Sequence, residues 1–209
     1  MAQKIRKIGV LTSGGDSPGM NAAVRAVVRT CAYHKIDCVG IYRGYEGLID
    51  GDFEPMDARS VRDIINRGGT MLKSARSDRF RTPEGRKIAY DNLVENKIDG
   101  LVLIGGDGTF TGGLIFNREY NFPVMGIPGT IDNDISGTDK TLGYDTALNT
   151  AVEAIDKIRD TAFSHARTFI VEVMGRKSPA IALHVGVCTG AENIVLPSDE
   201  VNYDQIAQD

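Results

Sequence analysis

The chain has 209 residues, 42% of them hydrophobic and 25% charged, and carries a formal net charge of −4 at pH 7. These proportions belong to a core-forming globular protein and exclude a disordered one. The net negative charge excludes a broad nucleic-acid surface, and no stretch approaches the roughly 20 apolar residues of a membrane helix. The three cysteines, Cys31, Cys38 and Cys188, form no CxxC pair and no metal-ligand spacing. They read as buried thiols in a reducing cytosol, so the expectation is a cytoplasmic protein with neither nucleic-acid nor membrane partners.

In chain order, the apolar run Ile8 to Thr12 predicts a buried parallel strand that ends in the tight loop Ser13-Gly14-Gly15-Asp16. Pro18 opens a helix that runs to about Tyr33, and Cys38 to Tyr42 reads as a second strand. A short helix is expected over Val61 to Asn66, before Gly68-Gly69-Thr70. Arg86 to Lys97 has helical spacing, with Ile88, Leu93 and Val94 as core positions. Gly100 to Ile104 is a third strand, running into Gly105-Gly106-Asp107-Gly108-Thr109. Pro123 to Ile127 is a fourth, running into Pro128 to Asp134. Tyr144 to Arg159 is a long amphipathic helix. Thr168 to Val173 reads as a fifth strand ending at Met174-Gly175-Arg176, Pro179 to Val187 as a helix, and Glu192 to Leu196 as a last short strand. This alternation predicts an α/β fold: a mostly parallel sheet with helices on both faces.

Four of the expected strands end in a polar, glycine-bearing loop: Ser13 to Asp16, Gly105 to Thr109, Pro128 to Asp134 and Met174 to Arg176. Ligands of open α/β sheets bind outside the carboxyl ends of the strands, so these loops should share one edge and one cleft. Glycine lets backbone amides approach a phosphate closely, and a following helix presents its N-terminus to the anion. Asp107 can hold magnesium through oxygen or water. Neither a GxxxxGK[ST] loop nor a GxGxxG motif is present. In Thr130-Ile131-Asp132-Asn133-Asp134, two carboxylates beside a hydroxyl fit a base for an acceptor alcohol and a partner for the metal. Arg76 and Arg176, in or beside glycine loops, suit phosphate oxygens, whereas Arg79 reads as solvated surface. His34, His165 and His184 show no metal spacing and receive no role.

Thr12 to Asn21, Asn66 to Thr70, Gly105 to Thr109, Pro128 to Asp134 and Val173 to Arg176, in this order, resemble the bacterial ATP-dependent 6-phosphofructokinases over nearly the whole chain. The resemblance implies transfer of the ATP γ-phosphoryl group to the 1-hydroxyl of fructose 6-phosphate, with magnesium, in a homotetramer. It implies a nucleotide-binding lobe over residues 1–142 and a C-terminally shortened sugar-phosphate lobe over 143–209. It places ATP contacts at Gly15, Tyr45, Arg76, Ser77, Gly106, Asp107, Gly108 and Thr109, with Asp107 as the magnesium ligand. Thr130, Ile131 and Asp132 fall on acceptor positions, with Asp132 as catalytic base. Met174, Gly175 and Arg176 fall on sugar-phosphate contacts, and Arg167 on an arginine that reaches a neighbouring subunit's substrate. Thr130, Arg76 and Arg176 join Asp132 in catalysis. Arg25, Arg29 and Arg159 match a nucleotide-effector site, although Ala58, with Arg59 beside it, stands where the family has a further effector arginine. Diphosphate-dependent relatives carry Asp where this chain has Gly108 and Lys where it has Gly129, so both glycines favour ATP. A shortened, inactive relative that binds only nucleotide or a partner subunit is the other alternative.

Overall fold

A computed structural model describes residues 5–197 and 200–206. The chain forms two compact units, Met1–Thr130 and Ile131–Asp209. The division falls before the expected 142/143 boundary, for a local reason. The Asn133 amide oxygen accepts from the Thr141 backbone N–H at 2.8 Å, and Ile131 packs against the second unit's own apolar cluster.

The first unit is built from β1 (Lys7–Ser13), α1 (Met20–Tyr33), β2 (Asp37–Ile41), α2 (Gly44–Asp50), β3 (Phe53–Met56), a 3-10 turn (Arg79–Arg81), α3 (Pro83–Glu95), β4 (Gly100–Gly105), α4 (Asp107–Tyr120) and β5 (Val124–Thr130). Its strands lie in the order β3-β2-β1-β4-β5. β1, β2, β4 and β5 are parallel, and β3 runs antiparallel to β2 at the edge. Edge placement tolerates Pro55, which has no N–H to give a ladder. Side chains alternate across each strand: Leu11, Leu101 and Leu103 join a buried cluster with Tyr45, Leu48, Phe80, Leu93 and Phe116 from the turn and α2–α4. On the other face Ile104 and Met20 of α1 meet beside Gly129.

The second unit holds β6 (Leu142–Gly143), α5 (Tyr144–His165), α6 (Ala180–Thr189) and α7 (Tyr203–Ile206). Tyr144, Ile181 and Val185 form its core, with Leu148, Ala151, Val152 and Ile155 packed against them along one stripe of α5.

Several expectations are corrected. Val61 to Asn66 is a series of turns, because Asp63 has φ 55°, which no right-handed helix can pass through. Helix α3 starts earlier than expected, at Pro83, where the Thr82 hydroxyl accepts from the Gly85 N–H and caps the first turn. It buries Arg86, Ala89 and Leu93, while Ile88 and Val94 are exposed. Thr168 to Val173 and Glu192 to Leu196 form no strand: no described strand supplies them with a ladder, Ile170 is 96% exposed, and Ile194 packs on Gly186 of α6 instead. Pro128 to Thr130 are not loop but the end of β5. The sequence reading lacked α2, β3 and α4. In α4, Gly112 and Gly113 depress helix propensity but let the helix sit directly on the Tyr45 and Phe80 rings and on Leu103. Cys31 and Cys38 are buried, and burial pushes the Cys38 thiol up to about 12; Cys188 is exposed.

Candidate active site

In the first unit the parallel pairing of β1 with β4 sets Ser13 directly beside Gly105. The two glycine loops that follow therefore leave the same edge of the sheet side by side. Thr109, buried in the first turn of α4, donates its hydroxyl to the Ser13 carbonyl oxygen at 3.1 Å and locks one loop to the other. Helix α4 has Gly106 at its N-cap and no side-chain cap. Thr109 and Phe110 N–H both turn back to the Gly106 carbonyl, which leaves the amides of Asp107 and Gly108 at an uncapped, electropositive helix end. A Cβ at Gly15 or Gly108 would find no heavy atom within 4 Å, so both positions face open space. Asp107 is exposed and has no ion-pair partner among the described residues. Thr130, at the end of β5, lies beside Gly106.

A third segment is fastened to this edge. The fully buried Thr12 hydroxyl donates to the Lys73 carbonyl at 2.8 Å and lies 2.9 Å from the Thr70 hydroxyl. The Asn21 amide donates to the Arg67 and Gly68 carbonyls, and its oxygen accepts from Met71 N–H at 2.7 Å. Ser74 donates to the Gly14 carbonyl. These anchors deliver Arg76, exposed, and Ser77, whose hydroxyl accepts from Phe80 N–H. Arg79 lies on the surface as expected, and there it donates to Glu46 at 2.6 Å and Asp50 at 2.8 Å, tying the turn after Ser77 to α2. The Tyr45 side chain is turned into the protein. Its ring is buried and stacked on Phe80 with centroids 3.8 Å apart, burial raises its phenol pKa, and its hydroxyl donates to the Thr109 carbonyl at 2.6 Å. Its side chain thus braces the first turn of α4.

In the second unit Asp132 sits in a turn closed by Asn133, which has φ 48° and bonds Thr141 and Asp139. The Asp132 side chain is only 14% exposed, and the largely exposed Arg176 donates to it through Nε at 3.3 Å. Burial pushes the Asp132 carboxyl above the ordinary aspartate range; the Arg176 guanidinium opposes the shift, and Asp134 adds to it. Gly175 with φ 138° and Arg176 with φ 52° form a tight turn closed by Ser178 N–H on the Gly175 carbonyl. Met174 is exposed beside it, and Arg167 is exposed after the C-cap of α5. Ile131 is half-buried and spends its side chain on the unit's core. His184 lies with Nδ1 2.8 Å from the Tyr144 hydroxyl, within the packing of this unit.

Of the expected effector residues, Arg25 donates to the Val61 carbonyl at 3.3 Å and thereby ties α1 to the following turns, while Arg29 is exposed on α1. Arg159, on α5, donates to the Thr189 carbonyl at the end of α6. No group of three or more His, Cys, Asp or Glu able to hold a metal occurs among the described residues, and none of their helices is long and apolar enough to cross a membrane. Ser74 and Arg79 received no site role from sequence, and Thr12 and Asn21 were legible only as motif residues. A hydroxyl or amide that bonds backbone far away in the chain has no periodicity to reveal it.

The phosphofructokinase family profile matches residues 7–209. The chain is 57% identical over 204 residues to an ATP-dependent 6-phosphofructokinase of Halothermothrix orenii, covering 98% of this chain and 61% of that one. It is 58% identical over 202 residues to one from Bacillus pumilus, covering 97% and 63%. The chain thus spans somewhat over three fifths of the length of these curated relatives. The structure of phosphofructokinase from Saccharomyces cerevisiae superposes with a TM-score of 0.91 at 43% identity, over 97% of this chain and 30% of that one. A pyrophosphate-dependent phosphofructokinase from Marinobacter aquaeolei shares the fold, with a TM-score of 0.81 at 21% identity, over 98% and 56%. The joined glycine loops at the carboxyl ends of β1 and β4, the Asp132 turn and the profile match over residues 7–209 establish that this chain belongs to the phosphofructokinase family.

Proposed function

We propose that the chain carries the phosphate-handling machinery of an ATP-dependent 6-phosphofructokinase, which phosphorylates the 1-hydroxyl of fructose 6-phosphate in the cytoplasm. The observation that carries this reading is the cradle in the first unit: three separate segments, 13–16, 74–77 and 106–109, are hydrogen-bonded at one sheet edge around two glycines that face open space. Gly15, Gly106, Gly108 and the uncapped end of α4 would hold the triphosphate, with Arg76 and Ser77 beside it. The exposed Asp107 fits a magnesium ion held by one carboxylate together with substrate phosphates, which would neutralise charge on the β- and γ-phosphates.

Asp132 accepts the proton of the sugar 1-hydroxyl as its oxygen bonds the γ-phosphorus. The bond from that phosphorus to the β–γ bridging oxygen breaks, and its electron pair leaves on ADP. Thr130 and Ile131 border the acceptor, Arg76 and Arg176 offset the charge spread over the transferring group, and Met174, Gly175 and Arg167 contribute to sugar-phosphate binding. A raised Asp132 carboxyl remains a workable base, because proton transfer is most effective when the catalytic pKa lies nearer the working pH. Arg25, Arg29 and Arg159 would serve a nucleotide effector in a homotetramer.

The local environments favour ATP over diphosphate. Gly108 faces open space, so an aspartate there would place a carboxylate among the phosphates. A Cβ at Gly129 would stand 3.1 Å from Ile104 and 3.4 Å from Met20, so a lysine is not accommodated without a shift. Calorimetry of MgATP against magnesium diphosphate tests the donor, and a coupled assay for fructose 1,6-bisphosphate tests the reaction. Tighter binding of diphosphate would favour the diphosphate-dependent reading. Nucleotide binding with no turnover would favour the inactive shortened relative.

A further inference from the structure

The peptide joining Gly14 to Gly15 is gripped from one side. Ser74 donates its hydroxyl to the Gly14 carbonyl oxygen at 2.5 Å. A trans peptide is planar, and its C=O and N–H point in opposite directions. Holding the Gly14 carbonyl towards Ser74 therefore aims the Gly15 N–H away from it. The same device operates one residue earlier, where Thr109 holds the Ser13 carbonyl and so directs the Gly14 N–H. Gly15 is exposed, and space for a ligand is open around it.

The Ser74 hydroxyl is itself held in place. Thr12 fixes the carbonyl of the preceding residue, Lys73, and Asn21 fixes three backbone groups between Arg67 and Met71. Both side chains are nearly or fully buried, with Thr12 at 0% and Asn21 at 3% exposure. A segment with no regular secondary structure from residue 74 to 77 is thus registered against the first glycine loop by side chains alone. Arg76 follows Ser74 by two residues, so the same contact sets where the cation leaves the chain.

We propose that Ser74 is a positioning residue: through the Gly14 carbonyl it turns the Gly15 amide outward as a hydrogen-bond donor to the phosphate chain of a nucleoside triphosphate. This rests on the nucleotide-binding reading above. Ser74 acts through the backbone and does not touch the nucleotide.

The test uses the full 209-residue chain, labelled with ¹⁵N, and MgATP as the probe. In the unsubstituted chain the Gly15 amide proton should move downfield on MgATP addition. Ser74→Ala should bind MgATP about three- to tenfold more weakly, the span of one lost hydrogen bond. It should lose most of the Gly15 displacement while its urea midpoint shifts little, and Ser74→Thr, which keeps the hydroxyl, should restore both. MgATP binding with an unmoved Gly15 amide in the unsubstituted chain overturns the proposal, whether or not the alanine variant folds. So does an alanine variant with full affinity and a full Gly15 response, or a threonine variant as weak as the alanine one. Absence of any MgATP binding by the unsubstituted chain overturns the nucleotide reading first, and this inference with it.

Discussion

Replacing Gly105 with alanine should break the joint between the two glycine loops, while the same change three residues later should leave the fold intact. A Cβ at Gly105 would stand 2.5 Å from the Ser13 carbonyl oxygen and 2.5 Å from the Thr109 hydroxyl. Neither can retreat. The Ser13 carbonyl belongs to the strand pair that sets Ser13 beside Gly105, and the Thr109 side chain is buried and bonded to that same oxygen. Overpacking of this kind costs about 1–3 kcal/mol. Displacing Thr109 leaves a buried donor and acceptor unmatched, for about 1–3 kcal/mol more. The expected loss is therefore roughly 2–6 kcal/mol. Gly108 lies in α4 with nothing near its Cβ position, so alanine there should be neutral, or stabilising by up to about 1 kcal/mol. Its methyl group would occupy the space proposed for phosphate, however, and should weaken MgATP binding by roughly tenfold, about 1.4 kcal/mol. Urea unfolding at constant m-value measures the first effect and calorimetry the second. A Gly105→Ala chain within about 0.5 kcal/mol of the parent, or equal destabilisation by both substitutions, would refute the reasoning.

Asp132→Ser should lower kcat by about 10²–10⁴ in any context where the chain turns over, with little change in ATP affinity; a near-parental kcat would make Asp132 a structural residue. Arg176→Leu should raise the Asp132 carboxyl further, since the guanidinium is what opposes the burial effect. A raised carboxyl favours the protonated fold, so stability is lost as pH rises through its folded pKa, and the variant should be more destabilised relative to the parent near neutral pH than near pH 4. Titration of ¹³C-labelled aspartate carboxyls checks this, and an unmoved or lowered Asp132 midpoint contradicts it. Arg86→Leu should cost roughly 2–4 kcal/mol. It strands Glu119, bonded through two nitrogens at 2.6 Å each, and frees the Phe80 and Arg81 carbonyls that Arg86 Nη1 also serves. Thermal unfolding within about 0.5 kcal/mol of the parent would show that the pair contributes nothing.

The sequence alone carried the parallel α/β architecture, because parallel strands read as short apolar runs: β1, β4 and β5 each announced themselves by such a run ending in a glycine-bearing loop, and β2 by the run alone. It also marked the glycine loops that are proposed to hold phosphate, since glycine, aspartate and threonine at close spacing reflect a local backbone requirement that few other residues can meet. What it could not carry was set by contacts between distant segments. Helix α4 was hidden by Gly108, Gly112 and Gly113; the cost of the last two in helix propensity is offset by close packing on Tyr45, Phe80 and Leu103. The turns of 61–66 depend on Asp63 at positive φ, although Val61 and Ile64 are as buried as any helix would leave them. Thr168 to Val173 has the composition of a strand, but a strand exists only where another supplies a ladder. The partners that hold Tyr45 and Arg79 lie 64, 33 and 29 residues away, and Arg79 keeps about half of its side chain in solvent while bonding two of them. The Ser74 grip on Gly14 spans 60 residues. A single hydroxyl meeting a single carbonyl over that separation leaves no pattern in the chain, so only the tertiary fold could decide which serine faces the first glycine loop.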